Sequence, residues 1–106
     1  MRNITINGKK LPFRLSYRAL KGSLAETGLS IHTMDNLDFS HLAIFGKNGV
    51  NAGYKFSDSK DSISLEDLED LLDDDFSGLN TIGDAIAEEM KIINGEESES
   101  SDTEKK

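Results

Sequence analysis

The chain has 106 residues, with 20 acidic against 12 basic side chains and a net charge of −8 when the histidines are neutral. This length fits one small domain, and the absence of cysteine excludes disulfides, thiol nucleophiles and cysteine-rich zinc sites. No apolar run approaches the ~20 residues that a membrane-spanning helix needs, and no signal peptide is recognisable. We therefore expect no membrane partner and no export.

The charge is divided unevenly along the chain. Residues 1–55 carry eight basic and three acidic groups, whereas residues 56–106 carry four basic and seventeen acidic groups. Binding to nucleic acid needs a high local density of cations, so no nucleic-acid partner is expected for the protein as a whole. The basic N-terminal residues can still form a patch, and such patches more often face solvent or an acidic protein surface.

An alternating pattern at the start of the chain predicts a β-hairpin over residues 2–15. Asn7-Gly8 is a sequence that a two-residue type I′ turn prefers. This turn pairs Ile4 with Leu11 and Asn3 with Pro12. The Asn3–Pro12 pair is not a hydrogen-bonded one, so the N–H that proline lacks is not needed. The register puts five apolar side chains on one face, namely Ile4, Ile6, Leu11, Phe13 and Leu15. A lone hairpin is marginal in water, so helices are expected to cover this face.

Helical periodicity predicts four helices, over about residues 16–27, 37–46, 64–74 and 79–94. Ser16 is a suitable N-cap for the first helix, and Gly28 is a suitable left-handed stop. Leu24 and Leu29 then occupy the positions whose contact accompanies a Schellman ending. We expect this first helix to lie on the hairpin.

Three glycines predict where the second helix ends. Because Gly46, Gly49 and Gly53 all disfavour helix, residues 47–57 are expected to form either a short helix or a loop. Further along, Ser64 and Asp67 form an S-x-x-D variant of the capping box, which begins the third helix.

The expected fold class is therefore α+β, a small and mostly α-helical domain with an N-terminal β-hairpin. A single globular domain is expected over residues 1–94. Residues 95–106 contain five acids, three serines, two lysines and no apolar side chain, which predicts a disordered acidic tail.

The junction of the third and fourth helices follows the outline of an EF-hand calcium loop. Its candidate ligands are Asp73, Asp75, Ser77 and, at the twelfth position, Asp84, with Gly78 at the sixth. Two features do not fit, because Asn80 stands where an apolar residue is usual and Asp84 is one carbon shorter than the bidentate glutamate. An acidic loop that ends one helix and begins the next explains the same residues. No metal site is therefore assigned, and these four residues remain weak candidates.

The sequence contains no complete catalytic or cofactor motif. His32 and His41 lack the spacing of a metal or catalytic pair, and structural or solvated roles explain them better. We expect neither enzymatic activity nor a cofactor.

The order of elements resembles a known family. Residues 1–14 read MRNITINGKKLPFR and lead into a helix that ends at residues 26–28, ETG. Residues 63–74 read ISLEDLEDLLDD, and an amphipathic helix and a charged tail follow. Over residues 1–93 the chain resembles the tail assembly chaperones of long-tailed phages that infect low-GC Gram-positive bacteria.

This resemblance implies a non-enzymatic protein of the host bacterial cytoplasm. Such chaperones bind the tape measure protein, keep this long, helical and apolar protein soluble, help recruit the tail tube protein, and are absent from the mature virion. The family often has a longer form made by ribosomal frameshifting, for which the codons of Lys105-Lys106 are a candidate slippery stretch.

The residues themselves suggest how such a protein would bind. The opposite charges of the two halves predict head-to-tail self-association between the basic hairpin region and a neighbour's acidic helices. A helical client is expected to meet an apolar stripe on the last two helices, formed by Leu68, Leu72, Ile82, Ile86 and Met90. The same spacing is typical of core residues. Two alternatives remain, an EF-hand-like calcium-binding protein and a generic adaptor or acidic inhibitor of a basic protein.

Overall fold

The structure, a computed structural model, describes residues 1–93, except for the side chains of residues 34–36. In chain order its elements are β1 (Arg2–Ile6), β2 (Lys9–Phe13), α1 (Tyr17–Thr27), a 3₁₀ helix (Ile31–Asn36), α2 (Phe39–Phe56), α3 (Leu65–Asp74) and α4 (Gly78–Ile93). The predicted fold class is confirmed, since a two-stranded antiparallel hairpin precedes four α-helices in a small α+β domain. The predicted tail, residues 95–106, lies outside the described residues.

The hairpin has the predicted register. Ile4 pairs with Leu11, and Asn3 pairs with Pro12. Asn7 and Gly8 both have positive φ angles, 51° and 76°, as a type I′ turn requires. The five apolar side chains of the hairpin are all buried, and α2 and α4 lie side by side over them, α2 against β2 and α4 against β1.

The predicted end of the second helix at residue 46 is wrong, because α2 continues without a break to Phe56. Three glycines lie on the buried side of this helix, and each allows a close approach. A Cβ atom at Gly46 would lie 2.8 Å from Ile82 Cδ1, and one at Gly53 would lie 2.8 Å from the backbone carbonyl carbon of Pro12. The low helix propensity of glycine is thus outweighed by packing that a larger residue would prevent.

The first helix lies on α2 and not, as predicted, on the hairpin. Its buried residues are the small Ala19 and Ser23, and the Ser23 hydroxyl accepts a hydrogen bond of 2.9 Å from the Asn48 side-chain amide of α2. Glu26 accepts a second bond from Asn48 and pairs with Lys47 at 3.2 Å. These contacts lower the pKa of Glu26 below its ordinary value, the Asn48 hydrogen bond most of all.

The ends of α1 are close to the prediction but differ in one bond. Ser16 caps the helix by accepting from the Ala19 N–H, and Gly28 is left-handed with φ 76°. The Gly28 N–H bonds to the Leu24 carbonyl, which is the simpler αL ending and not a Schellman motif. The Leu29 N–H bonds instead to the Thr27 hydroxyl.

Side-chain hydrogen bonds to the backbone of distant segments, which we call polar clips, hold the rest of the chain against the hairpin and α2. Asn51 of α2 both donates to and accepts from the backbone of Ile63, which fixes the segment that precedes α3. Ser64 and Asp67 form the predicted capping box. Glu89 of α4 accepts from the Leu15 N–H at 2.9 Å and pairs with the Arg2 guanidinium at 3.2 Å. This one carboxylate therefore fastens β1 and the segment that follows β2 to the last helix.

Candidate protein-interaction surfaces

The apolar stripe predicted to meet a client lies mostly inside the domain. Leu68 and Ile82 are fully buried, and Leu72 and Ile86 are 8% and 4% exposed. Met90 is half-buried and packs against the same core. In this conformation these residues hold α3 and α4 to the hairpin and α2, and little of their side-chain surface is accessible.

The candidate calcium loop is not formed. Asp73 belongs to α3 and Asp84 to α4, so just three residues, 75–77, separate the two helices where an EF-hand needs a longer loop. The Asp75 carboxylate accepts hydrogen bonds from the Ser77 hydroxyl and, at 2.6 Å, from the Asn7 N–H. Among the described residues, no three acidic or histidine side chains converge on a position for a metal ion.

An exposed pair of phenylalanines marks a first surface. Phe39 is 65% exposed and Phe76 is 62% exposed, and their rings meet edge to face with centroids 5.2 Å apart. They lie in a groove of about 560 Å³ whose floor includes Ala43, Leu72 and Leu79. Leu72 is thus the one predicted client-binding residue that reaches this surface.

Local hydrogen bonds position both phenylalanines. Asp38 caps α2 by accepting from the His41 N–H at 3.0 Å, which places Phe39 in the first turn. This bond and one from the Ser40 hydroxyl lower the pKa of Asp38. Phe76 lies in the connection that Asp75 fastens to the hairpin turn, and the bonds from Ser77 and then Asn7 lower the pKa of Asp75.

Four carboxylates line the same groove along one face of α3; they are Glu66, Glu69, Asp70 and Asp73. Together with Phe39 and Phe76 they define what we call the acidic groove. Their spacing of i, i+3, i+4 and i+7 brings like charges together, which destabilises a helix by about 0.2–0.5 kcal/mol per pair. Within residues 1–93 none of the four forms an ion pair. A basic partner would relieve this repulsion.

A second groove of about 590 Å³ lies between the end of β2, α1 and the C-terminal half of α2. We call it the basic groove. Its exposed basic and aromatic lining residues are Arg14, Tyr17, Arg18, Lys55 and Phe56. The Arg14 guanidinium lies 4.2 Å from the centre of the Phe56 ring, and Tyr17 is 76% exposed. In the part of the chain that the structure describes, these three cations form no ion pair.

The sequence patterns did not predict that these aromatic residues lie on the surface. Tyr17 and Phe39 fit apolar positions of predicted helices, yet both are exposed. Phe76 offered a usable signal, since it is a large apolar residue inside an acidic run and belongs to neither helical stripe. The acidic spacing along α3 was a second signal of this kind.

These features define a small α+β domain that displays two aromatic grooves of opposite charge. None of the helices within residues 1–93 combines the length and apolar character needed to cross a membrane. No protein-family model matches the chain, and no curated protein or solved structure matches it.

Proposed function

We propose that this protein is a phage tail assembly chaperone that binds helical segments of the tape measure protein in the acidic groove. The observation that supports this most is the exposed Phe39–Phe76 pair, surrounded by carboxylates. Contiguous exposed apolar side chains with a polar rim are typical of protein-interaction sites. The order of elements, which resembles the chaperone family, supports the same role.

The dimensions of the groove suit a short stretch of helix. A volume of about 560 Å³ accommodates a few side chains, as one or two helical turns would present at positions i, i+3 and i+4. The carboxylates favour segments whose apolar residues are flanked by lysine or arginine. One such contact is weak, and several copies along a long client bind more firmly because each bound copy raises the local concentration of the next contact.

Self-association is part of this proposal. The basic groove of one copy contacts the exposed carboxylates of a neighbour's α3 that lie outside the acidic groove, Asp67 and Asp74, so that copies line up while each acidic groove stays open to the client. Sedimentation velocity at about 0.05 M and about 0.5 M salt tests this, since exposed charges are screened at the higher concentration. Association that does not change with salt would contradict pairing of the charged surfaces.

The role implies a place and a time of action. The chaperone works in the host bacterial cytoplasm, helps recruit the tail tube protein, and is left out of the mature virion. Mass spectrometry of purified virions is expected to detect the tube and tape measure proteins without this chain.

Co-expression with the tape measure protein tests the client-binding role. The full chain is expected to raise the soluble fraction of the client, and the double substitution Phe39→Ser with Phe76→Ser is expected to abolish most of that gain. A matched control is Ile31→Ser with Ile92→Ser, which removes two exposed apolar side chains outside the groove. A client that stays insoluble with the unaltered chain, or equal behaviour of the two double variants, would overturn the proposal.

The carboxylates on α3 also suit a second function, that of an adaptor for a basic protein. Pull-down with the full chain separates the two, because an adaptor would retain a basic partner and leave the tape measure protein unbound. The substitution pair Glu69→Gln and Asp70→Gln is expected to weaken either interaction, so the identity of the bound protein decides between them.

A further inference from the structure

We infer that the basic groove is an internal docking site for the acidic C-terminal segment of the same chain, residues 96–102. This inference does not depend on the proposed function. It rests on three features of the molecule: the groove itself, the place where the described chain ends, and the charges of the segment that follows.

The groove is built to receive an anionic, extended segment. Arg14, Arg18 and Lys55 are exposed around it, and Tyr17 and Phe56 add aromatic faces on which a backbone can lie. Small residues form part of its lining, including Ala19, Gly22 and Ala52, which leaves a cleft and not a flat surface. The ring contact of Arg14 with Phe56 holds that guanidinium in place before any partner arrives.

The last described helix contacts the chain next to this groove. Glu89 of α4 accepts the Leu15 N–H, and the next residue, Ser16, lines the groove. Ile93, the end of α4, is one turn beyond Glu89, or about 6 Å of helix rise. Residue 96 follows three positions later, which an extended chain covers in about 10 Å.

The segment carries the complementary charge. Residues 96–102 read EESESSD and contain four acids and no basic residue. Because the segment is joined to the domain by a short linker, its effective concentration at the groove is of millimolar order. A few weak contacts of the exposed-ion-pair kind then suffice for substantial occupancy, whereas the same contacts between separate molecules would not.

The other acidic surface of the molecule is a less suitable occupant within one chain. Helix α3 is fixed in the fold by the clips at Ile63 and Asp75. Its carboxylates can therefore contact only the basic groove of another copy. The C-terminal segment and a neighbour's α3 therefore compete for one groove. A bound segment would hold back self-association at low protein concentration.

Paramagnetic relaxation in the full chain tests this docking. The protein has no cysteine, so Ser101→Cys provides one attachment point for a nitroxide. In low salt, the amide signals of Tyr17, Ala52 and Lys55 are expected to broaden, while that of Lys9 at the far end of the hairpin is expected to keep its intensity. Raising the salt to about 1 M, where the screening length is about 3 Å, should remove the broadening.

Charge variants check the assignment. Replacing Arg14, Arg18 and Lys55 together by glutamine is expected to lower the docking equilibrium constant by roughly fivefold or more, the factor expected from losing three exposed ion pairs. The broadening at Tyr17 should fall with the docked population. A matched control replaces three exposed lysines outside the groove by glutamine; they are Lys9, Lys10 and Lys60. This control should leave the broadening unchanged.

A mixed sample separates contacts within one chain from contacts between chains. One component carries the nitroxide and is not enriched in nitrogen-15, and the other is enriched in nitrogen-15 and carries no nitroxide. No broadening is expected in this mixture. Broadening that appears in the mixture and grows with concentration would overturn docking in the same chain and assign the groove to a second copy. Broadening that is spread evenly over the domain, or equal in the groove and control variants, would also overturn the inference.

Discussion

Two glycines of α2, Gly49 and Gly53, face β2 at distances that leave no room for a Cβ atom. At Gly53 a Cβ would lie 2.8 Å from the Pro12 carbonyl carbon and 2.9 Å from the Phe13 nitrogen. Both are backbone atoms of β2, so no side-chain rotation relieves the contact. At Gly49 a Cβ would overlap the ring of Phe13, which is fully buried.

The expected cost follows from two opposing effects. In a helix interior the change from glycine to alanine gains up to about 1 kcal/mol of intrinsic propensity. Overpacking a filled interior costs about 1–3 kcal/mol, and more when backbone must move. Because the contacts at Gly53 are with backbone atoms, the upper part of this cost applies, and we expect Gly53→Ala to lower the free energy of unfolding by about 1–2 kcal/mol or more.

Gly22→Ala is the matched control. Gly22 lies inside α1, and a Cβ there would meet no atom within 4 Å. This substitution is expected to raise stability by up to about 1 kcal/mol. The two variants should therefore differ by about 2–3 kcal/mol, or roughly 10 °C or more in melting temperature for a domain of this size.

Thermal and urea unfolding followed by circular dichroism at 222 nm measure this difference. Equal stability of Gly53→Ala and Gly22→Ala would refute the close packing of α2 on β2. It would also remove our explanation of why α2 continues through its glycines.

Two further predictions concern the polar clips. Glu89→Ala, which leaves Arg2 and the Leu15 N–H without their acceptor, is expected to lower the free energy of unfolding by about 1–3 kcal/mol in urea titrations. Glu88→Ala, which removes the exposed pair with Lys91 at 3.1 Å, should change it by less than about 0.5 kcal/mol, and similar losses would contradict the role of Glu89. Because the pKa of Asp75 is lowered in the fold, the stability it contributes is present above the ordinary carboxyl pKa and is lost as the pH falls through the lowered value. The melting-temperature deficit of Asp75→Asn should therefore be clear at pH 7 and shrink in acid, and a deficit independent of pH would count against the charged clip.

Features that depend on nearby residues could be predicted from the sequence. The register of the hairpin follows from the Asn7-Gly8 turn and the alternation around it, and the structure reproduces it. Ser16 and Ser64 cap their helices as expected, because a cap needs just the first turn that follows it. These elements are determined within about ten residues of chain.

Features that depend on distant contacts could not be predicted in the same way. The length of α2 is decided by Phe13 and Pro12, more than thirty residues earlier in the chain, which pack where the glycines leave space. The position of α1 is likewise decided by Asn48 and Lys47 of another helix. Intrinsic propensity is a weak guide whenever such tertiary contacts are available.

The candidate surfaces are formed by residues that do not follow the helical apolar pattern. For this reason the apolar stripe did not identify them. A residue that repeats at helical spacing packs inward, as Leu68 and Ile82 do, and is then unavailable to a partner. Phe76 fits neither helical stripe and its ring contacts the exposed ring of Phe39, and the four carboxylates of α3 repel one another, so both features add little to the stability of the folded domain. Groups that add little to the stability of the isolated domain but are held in place by clips such as Asp75 are better explained by a partner than by the core.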